Sequence, residues 1–201
     1  MDNRERIIEG AAELFRTYGV RTVTMDSLAT HLGMSKRTIY EIFYDKDDLL
    51  IGVLGLMAAR QRELVSKVLN DSENAISAIF RLIEINIDHF QNMSPAFQAD
   101  MKRFHIEVLM KRERKCEMPD YRNNRQVIDR GIKEKLFRKE INSGIVNACI
   151  YSLFRSVMDS ELYPFEDYSR KEIIKETVIN YLRGISTPYG KELINKHEKK
   201  F

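Results

Sequence analysis

Hydrophobic residues recur at helical spacing along most of the chain. Between Ile7 and Phe15 they fall three and four positions apart, which predicts a first helix that ends near Gly19. Thr24, Ser35 and Asp45 are good N-cap residues placed just before further apolar repeats, so three more helices are expected close behind. The predicted helices run from a cap at residue 2 or 3 to about residue 18, over residues 25–32 and 36–43, and from residue 46 to about residue 69.

Beyond residue 70 the same spacing continues in longer segments separated by polar breaks. Helices are expected over about residues 75–90, 95–115, 120–138, 145–158 and 170–184, and a polar tail follows. Four prolines and nine glycines are too few turn signals for a sandwich or barrel of many short strands. The sequence therefore predicts an all-α protein of about nine helices, with a three-helix head in residues 1–47 and a helical domain in residues 48–201.

Charge alone says little about the partner of the head. The whole chain has a net charge of +3, but residues 1–47 hold seven Lys or Arg against eight Asp or Glu. A DNA-binding function of the head must therefore rest on where its charges lie, because their sum does not support it.

The two cysteines, Cys116 and Cys149, lie far apart and lack the spacing of a zinc site or a disulfide framework. The first twenty residues mix charged with apolar side chains, unlike a signal peptide, and no uncharged run approaches the length of a membrane span. We expect a soluble cytoplasmic protein that does not enter a membrane.

Catalytic and metal chemistry find little support in the sequence. The four histidines are scattered without a metal-ligand spacing, and no nucleophile elbow or other local catalytic signature occurs. We therefore expect no metal, no cofactor and no enzymatic activity. The basic run at residues 111–115 is interpreted as a solvated helix end rather than a nucleic-acid patch.

The second and third predicted helices form a helix-turn-helix arrangement. Each has about eight residues, and the turn of about three residues is centred on Gly33, a position that suits a left-handed backbone. Small Ala29 allows the two helices to approach closely. In such a motif the second helix lies in the major groove of DNA.

The segment TMDSLATHLGMSKRTIYEIFYDKDDLL, residues 24–50, resembles the DNA-binding motif of the TetR (tetracycline repressor) family of bacterial transcriptional regulators. The similarity begins in the first helix and covers roughly the first 50 residues. The matching positions, in the family's order and spacing, are Thr24, Leu28, Ala29, Gly33, Ser35, Thr38, Tyr40, Phe43, Lys46 and Leu49.

The resemblance and the chemistry of the side chains together suggest how DNA would be contacted. Thr24 and Ser35 begin helices, where free N–H groups favour a phosphate. By resemblance, Thr38 and Tyr40 contact the backbone or a thymine methyl, and Lys46 meets a phosphate. Lys36 and Arg37, in the first turn of the recognition helix, are the candidates for base readout, with guanine O6 and N7 as the favoured target.

Three positions depart from the family pattern. Arg37 stands where many members have glycine or another small residue, so phosphate is its alternative target. Glu41 could accept from a cytosine amino group, orient Arg37, or face solvent. Ile42 replaces a side chain that often contacts phosphate, and Tyr44 is the candidate to supply another contact.

The resemblance implies a ligand-released repressor that binds a palindromic operator in double-stranded DNA as a homodimer. The last two long helices, near residues 145–158 and 171–182, would pair with their symmetry mates. Few ionisable residues interrupt the apolar runs, which favours an apolar or amphipathic small-molecule effector. Two alternatives remain at this point: a helical interaction protein whose head is structural, and a small-molecule-binding helical protein without a DNA function.

Overall fold

Short capped helices make up the first part of the chain in the computed structural model, which describes residues 2–101, 125–159, 161–164 and 166–201. They are α1 (Asn3–Tyr18), α2 (Met25–Leu32), α3 (Lys36–Ile42) and the longer α4 (Lys46–Asp71). Each of the first three begins as the sequence predicts, because Asp2, Thr24 and Ser35 accept from the backbone N–H three residues later.

Residues 2–61 and 91–101 form one compact unit. Ile39 and Phe43 of the α3 region are almost fully buried, which confirms the predicted inward face. Residues 95–101 are helical and add Phe97 to the same core. The core of this unit includes Ile7, Phe15, Leu28, Ile39, Phe43, Leu49, Val53 and Phe97.

The turn between α2 and α3 is fixed by backbone geometry. Gly33 has φ 62° and ψ 34°, the left-handed conformation that the sequence predicts there. The Met34 N–H donates to the Ala29 carbonyl at 2.9 Å, and Arg6 of α1 donates from Nη2 to the Leu32 carbonyl at 2.6 Å. These bonds satisfy carbonyls at the end of α2 and hold the start of α3 in place.

Residues 62–90 and the described residues from 125 onward form a second compact unit. Its helices are α5 (Ala75–Gln91), α6 (Arg125–Lys133), α7 (Ser143–Val157), α8 (Arg170–Ile174), α9 (Asn180–Ile185) and α10 (Pro188–Glu198). Residues Lys175–Ile179 form a π-helical turn that joins α8 to α9 without a break. The core of this unit includes Ile76, Phe80, Ile83, Ile128, Phe137, Ile174, Val178, Leu182 and Ile194.

Two sequence predictions in this unit are wrong. The helix expected to reach residue 138 ends at Lys133, because Lys135 adopts a positive φ of 58° and turns Leu136 and Phe137 into the core. The expected polar tail is helix α10, in which Thr187 caps the Gly190 N–H and Ile194 is fully buried. Its signal was present in the sequence, since a capping Thr before Pro at the first helical position is a typical helix start.

The all-α fold class is confirmed. Every named element is helical, and the described residues hold only one isolated β-bridge, between Phe137 and Ser186. In the described chain, no helix combines the length and the apolar character needed to cross a bilayer. The predicted helix over residues 95–115 is observed as far as residue 101; the remainder, the basic run at 111–115 and Cys116 lie outside the described residues. The functional division between residues 47 and 48 stays a prediction.

Candidate nucleic-acid interface

Helix α3 has one buried face and one solvent face. Ile39 and Phe43 anchor it in the core, so the side chains of residues 36, 37, 40, 41 and 44 point the other way and are exposed. Tyr44, just past the end of the helix, is 83% exposed, and Tyr40 is 45% exposed. This exposed face therefore combines two aromatic rings with two cations, which are side chains that contacts with DNA use.

Thr24 and Ser35 both serve as helix caps. The Thr24 hydroxyl accepts from the Ser27 N–H at 3.0 Å, and Ser27 Oγ accepts from the Thr24 N–H at 2.9 Å. Ser35 Oγ accepts from the Thr38 N–H at 3.1 Å and lies 2.8 Å from Thr38 Oγ1. All four hydroxyl side chains are thus held in fixed positions at the starts of α2 and α3.

Lys36 is paired with a residue of the preceding helix. Its Nζ lies 2.8 Å from one oxygen of Asp26 and 2.9 Å from the other, and 5.9 Å from the centre of the Tyr40 ring. The hydrogen bond to Asp26 raises the pKa of the Lys36 ammonium, so the side chain is positively charged at neutral pH. Asp26 is a contact that the sequence analysis missed.

Arg37 is paired with Glu41 one helical turn further on. Arg37 Nε donates to Glu41 Oε1 at 2.9 Å, and the Arg37 side chain is 88% exposed. Of the three roles considered for Glu41, this geometry corresponds to the orientation of Arg37. The bond uses Nε, so the two Nη groups at the tip of the guanidinium are not part of it.

Lys46 begins α4 beside the connection between α1 and α2. Its Nζ donates to the Arg21 carbonyl at 3.2 Å, and the side chain is half-buried. Burial lowers the pKa of the Lys46 ammonium, while the nearby carboxylates of Asp100 and Asp47 oppose that shift. The Tyr44 N–H donates to Asp48 Oδ2 at 3.2 Å, which fixes the backbone just before α4.

Asp100 is the other residue of this region that sequence reasoning missed. It is buried, accepts from the Arg21 N–H at 2.9 Å, and lies 3.7 Å from the Arg21 guanidinium. No local signal could have found it, because 79 positions separate the two residues. Ile42 stands where the family often has a side chain that contacts phosphate, and it packs against the core of this unit.

Comparison with known proteins gives these features a context. A sequence model of the family described as bacterial regulatory proteins, tetR family, matches residues 7–53. The HTH-type transcriptional repressor KstR2 of Mycobacterium tuberculosis is 27% identical over 154 residues, which cover 71% of this chain and 73% of that protein.

Two solved structures have the same fold over most of their length. Thermus thermophilus FadR, a TetR-family transcriptional repressor in complex with lauroyl-CoA, has a TM-score of 0.65 at 16% identity and covers 90% of this chain and 94% of its own. A gamma-butyrolactone receptor described as ArpA-like has a TM-score of 0.63 at 18% identity and covers 98% of this chain and 97% of its own.

The matched residues 7–53 contain the whole of α2, the Gly33 turn and α3, and the family match therefore falls on the surface built above. Together with the similarity to a curated repressor over most of the chain, it identifies the kind of protein. Residues 7–53 form a head of the kind found in the TetR family of bacterial regulatory proteins, and the chain is a DNA-binding transcriptional regulator.

Proposed function

We propose that this regulator is a repressor that binds a palindromic operator as a homodimer and leaves it when a small molecule binds. The observation that carries the proposal is the exposed face of α3, where Lys36, Arg37, Tyr40 and Tyr44 surround a helix anchored by Ile39. Lys36 and Arg37 read bases, while Thr24, Ser35, Thr38, Tyr40, Tyr44 and Lys46 contact the DNA backbone. The repressor activity of KstR2, as its name states, supports the direction of regulation.

Dimerisation through α7 and the continuous helix α8 to α9 is supported by their exposed apolar surface. Helix α7 is rich in apolar residues, yet Ile145 is 63% exposed and Ile150, Leu153 and Phe154 are only partly buried. An open groove of about 600 Å³ runs along Ile145, Val146, Tyr181, Gly184 and Ile185. A second copy of the chain would cover this surface, as expected for a two-fold symmetric interface.

An apolar or amphipathic effector agrees with the chemistry of the second unit. Its core is built almost entirely from aliphatic and aromatic side chains. The FadR neighbour was solved with lauroyl-CoA and another neighbour is a gamma-butyrolactone receptor, so proteins of this fold accept amphipathic small molecules. The effector must bind the released form more tightly than the DNA-bound form to act as a switch. A regulator of this kind works in the cytoplasm and is not an enzyme.

Selection of bound sequences from a random pool of duplex DNA tests the central claim. The full chain should enrich an inverted repeat whose half-sites lie about one helical turn, or a multiple of it, apart. Binding to the enriched sequence should weaken steeply as salt rises. Enrichment of no sequence would contradict the operator proposal, and enrichment of a single half-site would contradict the dimer.

Release by an effector needs a separate experiment. Lauroyl-CoA is the probe that the structural similarity suggests, and free CoA is its control. Displacement of the chain from its selected operator by lauroyl-CoA but not by CoA would support an amphipathic effector. Displacement by neither would exclude lauroyl-CoA as the effector and leave the DNA-binding claim intact.

The competing interpretation, a head that is only structural, makes its own prediction. If the head only supports packing, replacing Lys36 and Lys46 together by alanine should leave every function of the chain unchanged. Under the proposed function, the same double variant should lose operator binding while it remains folded.

A further inference from the structure

Both base-reading cations of α3 are held by carboxylates, Lys36 by Asp26 and Arg37 by Glu41. Residues 1–47 also carry one more acidic than basic residue, eight against seven. This is an unusual surface for a protein that must approach a polyanion. It raises the question of what the two carboxylates contribute.

We propose that Glu41 and Asp26 weaken binding to non-cognate DNA while they leave base readout intact, and so act as positioning residues that set specificity. The inference rests on the proposed function, because it assumes that α3 enters the major groove. It concerns a different quantity, the ratio of operator affinity to affinity for unrelated DNA.

The geometry of the Arg37–Glu41 pair is the first step. Glu41 Oε1 accepts from Arg37 Nε at 2.9 Å, and this bond does not use the end-on edge of the guanidinium, where Nη1 and Nη2 each present one N–H. Guanine presents two acceptors, O6 and N7, that such a pair of donors can meet side by side. Arg37 can therefore read guanine without giving up Glu41.

Contact between Arg37 and a phosphate of non-cognate DNA is opposed by Glu41. A phosphate that approaches Arg37 either competes with Glu41 for the guanidinium or shares it and comes close to the Glu41 carboxylate. Loss of the ion pair and repulsion by phosphate both oppose this arrangement.

The Lys36–Asp26 pair works in the same direction with a different geometry. The ammonium has three donors, and the two Asp26 oxygens at 2.8 and 2.9 Å engage it from the side of α2. A donor remains for a guanine acceptor in front of α3, whereas a phosphate would compete with Asp26 for the ammonium or be repelled by its carboxylate. The Tyr40 ring, 5.9 Å away, further confines the ammonium.

The two carboxylates thus impose a cost on phosphate contacts that guanine contacts do not incur. Exposed ion pairs are weak, so the effect of each carboxylate should be about two- to fivefold in affinity for non-cognate DNA. Both together change the specificity ratio by the product of the two effects, if the sites act independently.

Glu41→Gln and Asp26→Asn in the full chain test this inference, with Glu13→Gln as the matched control. Glu13 is an exposed acid of the same unit, near His31 and not bonded to Lys36 or Arg37, so its loss changes net charge equally. Affinities are measured for the selected operator and for a scrambled duplex of equal length, over a range of salt concentrations. Thermal melts verify that all variants are folded.

We expect each test variant, but not Glu13→Gln, to bind scrambled DNA about two- to fivefold more tightly. The salt dependence of that binding should steepen by up to about one unit. Affinity for the operator should change little. The tightening by Glu41→Gln should vanish in an Arg37→Ala background, because the cation that it releases is then absent. Equal tightening by Glu13→Gln, or persistence of the effect without Arg37, would overturn the inference.

Two further outcomes are informative. Loss of a preference for cytosine at one operator position in Glu41→Gln, with no change on scrambled DNA, would assign Glu41 to direct base contact and also overturn the inference. If the unmodified chain binds operator and scrambled DNA equally, the proposed function itself fails, and the inference with it.

Discussion

Arg21 and Asp100 join two distant parts of the chain, with the Arg21 N–H donating to Asp100 Oδ2 at 2.9 Å across 79 positions of sequence. Asp100 is buried, and a side chain at Gly19, which has φ 85°, would meet its carboxylate at 3.0 Å. The carbonyl of the same Arg21 accepts from Lys46 Nζ at 3.2 Å. The helical residues 95–101 therefore support the backbone that positions a candidate phosphate contact.

Replacement of Asp100 by alanine should destabilise the protein. The Arg21 N–H would lose its acceptor in a partly buried site, which costs about 1–3 kcal/mol. Asp100→Asn is the matched control, because its amide oxygen can still accept that bond and only the charge is lost. Chemical denaturation followed by circular dichroism should rank the alanine variant below the asparagine variant. Equal stability of the two would mean that the hydrogen bond contributes nothing.

Alanine at two glycines should have opposite effects on stability. Gly33 has a left-handed backbone, so Gly33→Ala should cost about 1–2 kcal/mol although no atom lies within 4 Å of the added methyl group. Gly55 lies inside α4 with the same open space, so Gly55→Ala should gain about 0.5–1 kcal/mol. Melting temperatures of the two variants, compared with Gly33→Asn as a milder change, provide the measurement.

Removal of the Lys46 ammonium should weaken binding to every DNA sequence alike. Under the proposed function Lys46→Ala loses one phosphate contact, so the slope of log affinity against log salt should fall by about one unit. Lys67→Ala is the control, since Lys67 is an exposed lysine of the same helix α4, 21 positions further along. A loss confined to the operator would show instead that Lys46 contributes to sequence readout.

Lys36→Ala and Arg37→Ala should act on particular bases. Each should cost about 1–3 kcal/mol on the selected operator and relax the preference at one position in each half-site. Affinities are measured for a set of operators in which each position carries each of the four bases in turn. A uniform loss over all of these sequences would reassign the side chain to a phosphate contact.

His197 should make the second unit sensitive to mild acid. The His197 ring stacks on Phe80, and its Nε2 lies 3.1 Å from Ser77 Oγ. Burial lowers the pKa of His197 below the ordinary value of 6.5, and the positive charges of Lys200 and Lys196 add to the shift. The unfolded chain therefore takes up a proton near pH 6.5 that the folded chain does not, so stability falls as pH drops below that value.

Denaturation between pH 7.5 and 5 checks this prediction. His197→Gln removes the titrating group, so its stability should fall less over that range than the stability of the unmodified chain. His89→Gln makes the same change at an exposed position of α5 and serves as the control. An unchanged loss of stability on acidification in His197→Gln would assign the effect to other groups.

Local signals in the sequence predicted the N-terminal helices almost to the residue. Thr24, Ser35 and Gly33 act on their immediate neighbours, so cap and turn chemistry is readable from a few adjacent letters. Ile39 and Phe43 were recognisable as core from spacing alone. These features fixed the orientation of α3 and hence the candidate residues on its outer face.

The remaining features depend on contacts that spacing does not reveal. The pairing of Lys36 with Asp26 needs the turn to bring two helices together, and Asp100 reaches Arg21 from a distant helix. The early end of α6 depends on Lys135, whose positive φ is uncommon for a residue with a side chain. Tertiary packing decides such details, and a single sequence carries no direct record of it.

The π-helical turn at Lys175–Ile179 holds one residue more than an α-helical path would need. One residue corresponds to about 100° of rotation in an α-helix. Deletion of one residue there would turn Tyr181 and Gly184 by that angle relative to Ile173 and Ile174, away from the groove that they line. The extra residue therefore sets the angle between the buried face of α8 and that of α9, and with it which residues of α9 line the groove.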